Sequence, residues 1–427
     1  MKYIFLTFLF TVAAFITEAQ DTLTVLQYNL LNYGNNTGYC NSNNNNISNK
    51  DNYIKTIVHY INPDIFTVNE ISESPAIHQR LLDNSLNTGW TNYYKMADFK
   101  KIANSDIVSM LYYNSKKLRY YSTSIAQSYI RDIIIFKLYY YSNDLSQGDT
   151  VFINCIVAHL KAGSGTSNSN KRKIMAQNLM NYLSNHQDEM NYMLMGDFNV
   201  YTDQEPAFQL FVNNSNANIR FNDPVNRMGD WNNNGRYADV HTQSTHASSN
   251  NCASSGGMDD RFDFILISND IKNKNHSVSY LNNSYKAVGQ DGNHFNKSIN
   301  AAPVNSSVPS NVLNALYNNS DHLPVTLKLK IDKTLGIDEY KNYDFYSIKF
   351  NNPVSQFLNL KINSKTGGKV RVKITELTGK ITVNKTYNLK KGDNSISLAV
   401  GSLAKGLYLL SFTDDNNRTV TKKFIKR

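Results

Sequence analysis

The chain has 427 residues, with 44 Lys and Arg, 34 Asp and Glu, and three cysteines, and that length suits about two to three domains. Its formal charge of +10 is unevenly spread: Leu335–Arg427 holds 17 Lys and Arg against 7 Asp and Glu, whereas Met1–Thr334 holds 27 of each. A neutral body argues against a protein that grips polyanions through bulk charge, and the basic excess belongs to the C-terminal segment.

The first residues have the layout of a secretory signal peptide. Lys2 precedes an apolar run, Tyr3–Ile16, and small residues lead to Glu18–Gln20, so cleavage is expected after Ala19 or Gln20. The run is short for a membrane span, and no later stretch is long enough to be one. No cysteine near the cleavage site offers a lipid anchor. An exported protein permits a bridge between Cys40 and Cys252, both in polar loops, although spacing does not fix pairing. Cys155 lies in an apolar run and is expected to be a buried free thiol. The Asn-rich stretch Asn41–Asn46 carries no functional signal.

Thr22–Asn29 is expected to be a strand ending in a polar side chain. Asn49–Asn62 is expected to be a helix, with Tyr53, Ile54, Ile57, Val58 and Ile61 in one stripe, Ser48 or Asn49 as cap, and Pro63 as stop. Ile65–Glu70 is a second strand, followed by a helix with Pro75 in its first turn. Strands are predicted at Ile107–Tyr113, Ile133–Tyr141 and Val151–His159, then a loop at Gly163–Asn170 and a helix over Lys171–Asn185. The apolar run ending at Met195 breaks into Gly196-Asp197-Phe198-Asn199, where Gly196 is expected to let the backbone turn. Asp197 and Asn199, two residues apart, would then share one side of the chain. A short helix around Pro206–Val212, a long polar loop (Phe221–Gly257), a strand at Asp260–Ser268, a second long loop (Lys286–Pro309) and a strand at Pro324–Leu329 complete this part. Strands alternating with helices give an α/β or α+β domain over residues 21–333.

Residues 334–343 are expected to form a linker, and residues 344–427 a small all-β sandwich. Its strands are predicted at Phe357–Ile362, Lys369–Glu376, Ser395–Leu398, Gly406–Thr413 and Val420–Ile425.

Strand and turn edges carry Asn29, Glu70, His159, Asp197, Asn199, Asp263, Asp321 and His322. Taken singly, each could be a surface or capping residue; jointly they form a pattern. Glu70 follows mostly apolar residues, where a carboxylate needs a partner or a metal. Scattered oxygen ligands suit Mg²⁺, Mn²⁺ or Ca²⁺, and the lack of paired His or Cys spacing disfavours zinc. No Gly-x-Ser-x-Gly suggests acyl transfer.

Five ordered motifs now resemble those of the endonuclease/exonuclease/phosphatase superfamily, the DNase I-like fold. They are Thr24–Asn29, Pro63–Glu70, Met193–Asn199, Arg261–Ile267 and Ser320–His322. The resemblance covers residues 22–330. It implies a four-layer α/β/β/α sandwich and metal-dependent hydrolysis of phosphoesters. On this likeness Glu70 and Asp321 hold the divalent metal, with Asn29 in its outer network. Asp197 handles the proton of the attacking water or of the leaving oxygen, Asn199 orients the nucleophile or phosphate, and His322 donates to the phosphate or acts as base, with Asp263 fixing its tautomer. Two weaker matches follow: His159 resembles a second nuclease histidine with Asp106 as its acidic partner, and Arg131 resembles a phosphate contact. The C-terminal segment, through Asn352-Pro-Val, Leu377-Thr-Gly-Lys, Gly406-Leu-Tyr-Leu-Leu and a basic end, resembles a type IX secretion sorting domain. That implies export to the medium or cell surface of a Bacteroidetes-type bacterium.

The expectation is therefore a secreted nuclease acting on DNA or RNA with a divalent metal, Mg²⁺ or else Mn²⁺ or Ca²⁺, without stable membrane insertion and assumed monomeric. A phosphatase or sphingomyelinase-like lipid phosphodiesterase is the alternative, and an inactive adhesion protein stands behind both.

Overall fold

The computed structural model describes residues 21–89, 91–145, 150–186, 190–333, 346–376, 378–415 and 419–427. The predicted signal peptide (1–20) and linker (334–343) lie outside the described residues. The chain divides into two compact units, one ending at Gly336 and the other starting at Ile337.

In the first unit the elements run β1 (Asp21–Tyr33), α1 (Ile47–Ile61), β2 (Ile65–Ser72), α2 (Pro75–Leu81), β3 (Tyr94–Met96), β4 (Ile107–Asn114), β5 (Leu118–Gln127), β6 (Ile133–Tyr140), β7 (Phe152–His159), α3 (Thr166–Ser184), β8 (Tyr192–Asp197), α4 (Pro206–Val212), β9 (Phe221–Asn222), β10 (Asp263–Ser268), α5 (Asn269–Asn273), β11 (Val278–Tyr280), β12 (Lys286–Ala287), α6 (Ser310–Asn319) and β13 (Val325–Ile331). One sheet has the order β11-β13-β1-β2-β4-β3, with β12 also on β13; the other is β5-β6-β7-β8-β10-β9. Between the sheets lie Val25, Ile65, Leu111, Leu327, Phe136, Cys155, Val157, Met195 and Ile265. Ile54, Ile57, Val58, Val312 and Leu316 of α1 and α6 cover the outer face of the first sheet. Met175, Leu179, Phe208 and Phe211 of α3 and α4 cover the second. The result is the α/β/β/α sandwich, in which central strands such as β8 and β10 are buried on both faces.

β1 and β2 run parallel, with Asn29 opposite Asn69. β7 and β8 also run parallel, with His159 opposite Asp197. The carboxyl ends of parallel strands are where an α/β fold gathers its site side chains. Gly196 does not turn the chain; it lies inside β8. It has φ +142°, and a Cβ built there would meet the Ala158 carbonyl oxygen at 1.8 Å, so β7 and β8 approach this closely only at glycine.

Several boundaries differ from expectation for local reasons. α1 begins at Ile47 because Asn46 caps it, its Oδ1 accepting from Ser48 N and Asn49 N at 3.0 and 3.1 Å. α3 starts at Thr166, through polar residues whose pattern reads as loop. The edge strand β5 adds to the expected elements; its burial lacks the clean period of two that marks a strand in sequence. α6 adds to them as well, burying Val312, Ala315 and Leu316. The cysteines resolve into a Cys40–Cys252 disulfide and a buried free Cys155.

In the second unit, β14 (Tyr346–Lys349), β15 (Phe357–Ser364), β16 (Gly368–Glu376), β17 (Ile381–Leu389), β18 (Gly392–Ala399), β19 (Gly406–Asp414) and β20 (Thr419–Lys426) form two sheets, β14-β15-β18 and β17-β16-β19-β20. Every second residue of β15 is buried, and Leu358, Leu360 and Ile362 pack with Val370, Val372, Leu410 and Phe412. This is an all-β sandwich built on strict alternation.

Candidate active site

The ends of β1, β2, β7 and β8 bring Asn29, Glu70, His159 and Asp197 together across the two sheets. Asn29 is fully buried and central. Its Nδ2 donates to Glu70 Oε1 at 3.1 Å and to Asp197 Oδ2 at 3.0 Å, and lies 3.4 Å from His322 Nε2. His159 Nε2 lies 3.7 Å from Glu70 Oε1 and 3.6 Å from Asp197 Oδ2. Donor atoms of Glu70, His159 and Asp197 all fall within 4.8 Å of one another, a spacing that one metal ion spans.

Asp197 is held from several sides. Its Oδ1 accepts from Asn199 N at 3.0 Å and Asn199 Nδ2 at 2.8 Å, and its backbone N donates to Asn69 Oδ1 at 3.0 Å. Burial pushes its carboxyl up to about 7; the His322 charge opposes this, and Asp263 and Glu70 add to it. Glu70 and Asn199 both sit in the left-handed region, at φ 57° and 51°, conformations that persist only when the surroundings fix them.

His322 Nδ1 lies 2.7 Å from Asp263 Oδ2, and Asp263 is itself fully buried. Burial works against the imidazolium, but the carboxylates of Asp263 and Asp197 prevail and raise its pKa well above the ordinary value. Nε2 faces the carboxamide of Gln243 at 2.7 Å and Asp197 Oδ2 at 3.7 Å. With Nδ1–H committed to Asp263, a neutral ring accepts the Gln243 N–H at Nε2, and a protonated ring has Nε2–H to give. His159 has the opposite character: burial, then the charges of Arg131 and His322, hold it well below the usual value and therefore neutral.

Asp321 offers the test of whether this donor set fits a cation. Its Oδ2 accepts from Ser254 N at 2.8 Å and Gln243 Nε2 at 3.3 Å. Its Oδ1 is buried with no hydrogen-bond partner, 4.0 Å from His322 Nε2. A buried carboxylate oxygen without a donor is costly, and a hard cation satisfies it. An oxygen-rich set of carboxylates with one neutral imidazole suits a hard divalent cation.

The expectation for Asp106 needs correcting. Its side chain is exposed, and its backbone oxygen accepts from Glu73 N at 3.2 Å. The inward position on β4 is taken by Ser109, whose Oγ accepts from Asn69 Nδ2 at 2.8 Å. The carboxylates beside His159 are Glu70 and Asp197. Arg131 does reach the site: its Nη1 donates to Leu160 O at 2.9 Å, and it shares a small cavity with Ser109 and His159. The metal pair expected from sequence was Glu70 with Asp321, whereas the tightest cluster joins Glu70 to His159 and Asp197.

Sequence reasoning missed three further contributors. Gln243 and Ser254 come from the long loop after β9, where nothing in the pattern marks them. Lys50, a helical lysine by sequence, is buried and donates to Leu31 O and Asn319 O, close in sequence to Asn29 and Asp321.

Residues 350–427 match the family model described as "Secretion system C-terminal sorting domain". No curated protein matches the chain. Among solved structures, an endonuclease/exonuclease/phosphatase family protein from Bacteroides thetaiotaomicron is 15% identical, covering 74% of this chain and 97% of that one, at a TM-score of 0.45. D. rerio TDP2, complexed with a single strand DNA product, is 12% identical over 72% of this chain and 98% of that one, at 0.45. The human Nocturnin catalytic domain, with bound sulfate anion, is 14% identical over 73% and 97%, at 0.43. Identities this low leave the site's chemistry to this chain's own side chains.

Proposed function

We propose that the first unit is a divalent-metal-dependent phosphoesterase that hydrolyses phosphodiester bonds of nucleic acid outside the cell, and that the second unit carries it through a secretion system of type IX. One arrangement carries this reading: a proton-accepting carboxylate, Asp197, and a proton-donating imidazole, His322, stand 3.7 Å apart with Asn29 bonded beside them.

Glu70 and Asp321 would hold the metal, with His159 beside Glu70, and the metal would supply positive charge to a phosphate oxygen and its transition state. Asp197 takes the proton of the attacking water at Oδ2, its Oδ1 being fixed by Asn199. A carboxyl near 7 suits a base working at neutral pH. The His322 imidazolium gives Nε2–H to a phosphate oxygen, Asp263 sustaining its charge. Arg131 adds a guanidinium on the His159 side.

The test is an assay of the full chain on plasmid DNA, RNA, bis(p-nitrophenyl) phosphate and sphingomyelin, with Mg²⁺ or with EDTA. Nucleic-acid cleavage lost in EDTA is the expected result. Cleavage that survives EDTA would sink the metal mechanism, and lipid turnover without nucleic-acid cleavage would move the substrate to the membrane.

A further inference from the structure

Lys50, in the first turn of α1, is 1% exposed, yet it forms no ion pair among the described residues. Its Nζ donates to Leu31 O at 3.1 Å, Asn45 Oδ1 at 2.8 Å and Asn319 O at 2.5 Å. Three donors meet three uncharged acceptors, so the ammonium is satisfied in hydrogen bonds but not in charge. The negative charges that favour its protonated form are Asp321 and Glu70, both of the site; burial outweighs them and draws the lysine down to about 7.

Two of the acceptors, Leu31 O and Asn319 O, lie on segments that carry site residues. Leu31 and Asn32 are both left-handed, at φ 47° and 52°. For leucine that costs about 1 kcal/mol or more, so something must hold the turn. In this conformation the two N–H groups point one way and the carbonyls the other. Leu31 N donates to Asn29 Oδ1 at 3.0 Å, and Asn32 N donates to Glu70 Oε2 at 3.1 Å. On the far side, Asn45 Nδ2 donates to Leu31 O at 3.0 Å and Asn32 O at 3.2 Å, and Lys50 takes Leu31 O as well. The third acceptor, Asn319 O, precedes Ser320, whose Oγ donates to Asn29 O at 2.7 Å, and then Asp321 and His322.

We propose that Lys50 is a positioning residue: its ammonium, with Asn45, clamps the left-handed Leu31–Asn32 turn against Asn319, so that the turn's N–H groups fix Asn29 and Glu70 in a geometry fit for a divalent cation. Lys50 touches neither substrate nor metal; it acts through that turn. The inference rests on the metal-dependent reading of the site.

The experiment measures Mn²⁺ binding to the full chain by calorimetry, alongside kcat and KM on bis(p-nitrophenyl) phosphate. Lys50→Met keeps the length and apolar stem and removes the charge. Mn²⁺ affinity is expected to fall roughly tenfold to a hundredfold, as when a residue supporting metal ligands is lost. kcat at saturating Mn²⁺ falls with it, and KM changes by less than about threefold. Asn45→Ala removes the uncharged half of the clamp, is milder for folding, and should shift Mn²⁺ affinity the same way. The double variant should lose less than the two single losses combined, because both act on one turn. Lys50→Met or Asn45→Ala that folds, by circular dichroism, and binds Mn²⁺ as the parent does would overturn the proposal. So would a lowered melting temperature with unchanged Mn²⁺ affinity, which assigns only a structural role. A parent protein that takes up no Mn²⁺ would sink the metal reading and this inference with it; equal binding by parent and variants sinks this inference alone.

Discussion

The parallel pairs β1/β2 and β7/β8 finish at the same place with different equipment. Each is the parallel pair of its own sheet among the described strands, and each sets two polar side chains at its carboxyl end. At β7/β8 the backbone itself does the positioning. Gly196 lets the strands close up, Leu160 N donates to Asp197 O at 2.9 Å, and Asn199 folds back on Asp197. At β1/β2 the strand ends open into a left-handed turn that needs outside support, supplied by Lys50, Asn45 and a loop joined through Cys40 to Cys252. The lesson is that the Asp197 side is built into a strand pair, while the Glu70 side is assembled from distant segments.

That contrast can be broken from either end. The largest effect is expected from Asp197→Asn, which should lower kcat/KM by about three orders of magnitude at saturating metal, the scale of a lost general base. In the parent, kcat/KM should climb with pH up to about 7 and level off as Asp197 loses its proton; the variant should lose that limb. The same residue gives a stability test. Its native pKa lies above the unfolded carboxylate value, so the folded state keeps a proton the unfolded chain has released. Its contribution to stability therefore declines as pH rises from about 4 to about 7. Asp197→Asn should accordingly stabilise the protein at pH 8, on the order of 1–3 kcal/mol, and hardly at pH 4, as read by denaturant unfolding.

Next in size, Gly196→Ala should cost about 4 kcal/mol or more, or prevent folding, because its methyl meets backbone rather than a movable side chain. Normal unfolding of that variant would show that β7 and β8 can part. Opening the other side by Cys40→Ser with Cys252→Ser should cost about 2–4 kcal/mol. It should also weaken Mn²⁺ binding, since Ser254 N, two residues from Cys252, grips Asp321; unchanged Mn²⁺ affinity would detach the bridge from the site. Arg131→Ala should raise KM about tenfold with little change in kcat if the guanidinium meets substrate phosphate. The smallest effect is expected at Asp106→Ala, within about twofold of the parent, as its exposed side chain requires.

How much of this was legible in the sequence also follows the contrast. Asp197, Asn199, His159 and Glu70 lie where apolar runs stop, and a run of buried residues ending in an acid can be read directly. The strand cores could be read for the same reason, as could the alternation in β15. Gln243, Ser254 and Lys50 could not. The first two sit in a loop whose path is fixed by tertiary contacts and one disulfide, and Lys50 occupies a helix position where lysine is ordinarily a solvated residue. Gly196 reads as a turn residue in the sequence, but the fold needs its missing side chain, not a turn. Asp106 lies on the exposed side because Ser109, not Asp106, takes the inward position, and spacing along β4 does not reveal this.

The division of the chain into two units has a further consequence for measurement. All ten excess charges lie beyond Thr334, and the residues before Leu335 balance. Cutting between the units would separate a neutral fragment from a cationic one, and a cation-exchange column would retain only the second. In the intact chain, the steep ionic-strength dependence that accompanies counterion release would report on the tail rather than the cleft. A salt series run on both forms would therefore separate adhesion to a polyanion from turnover of it.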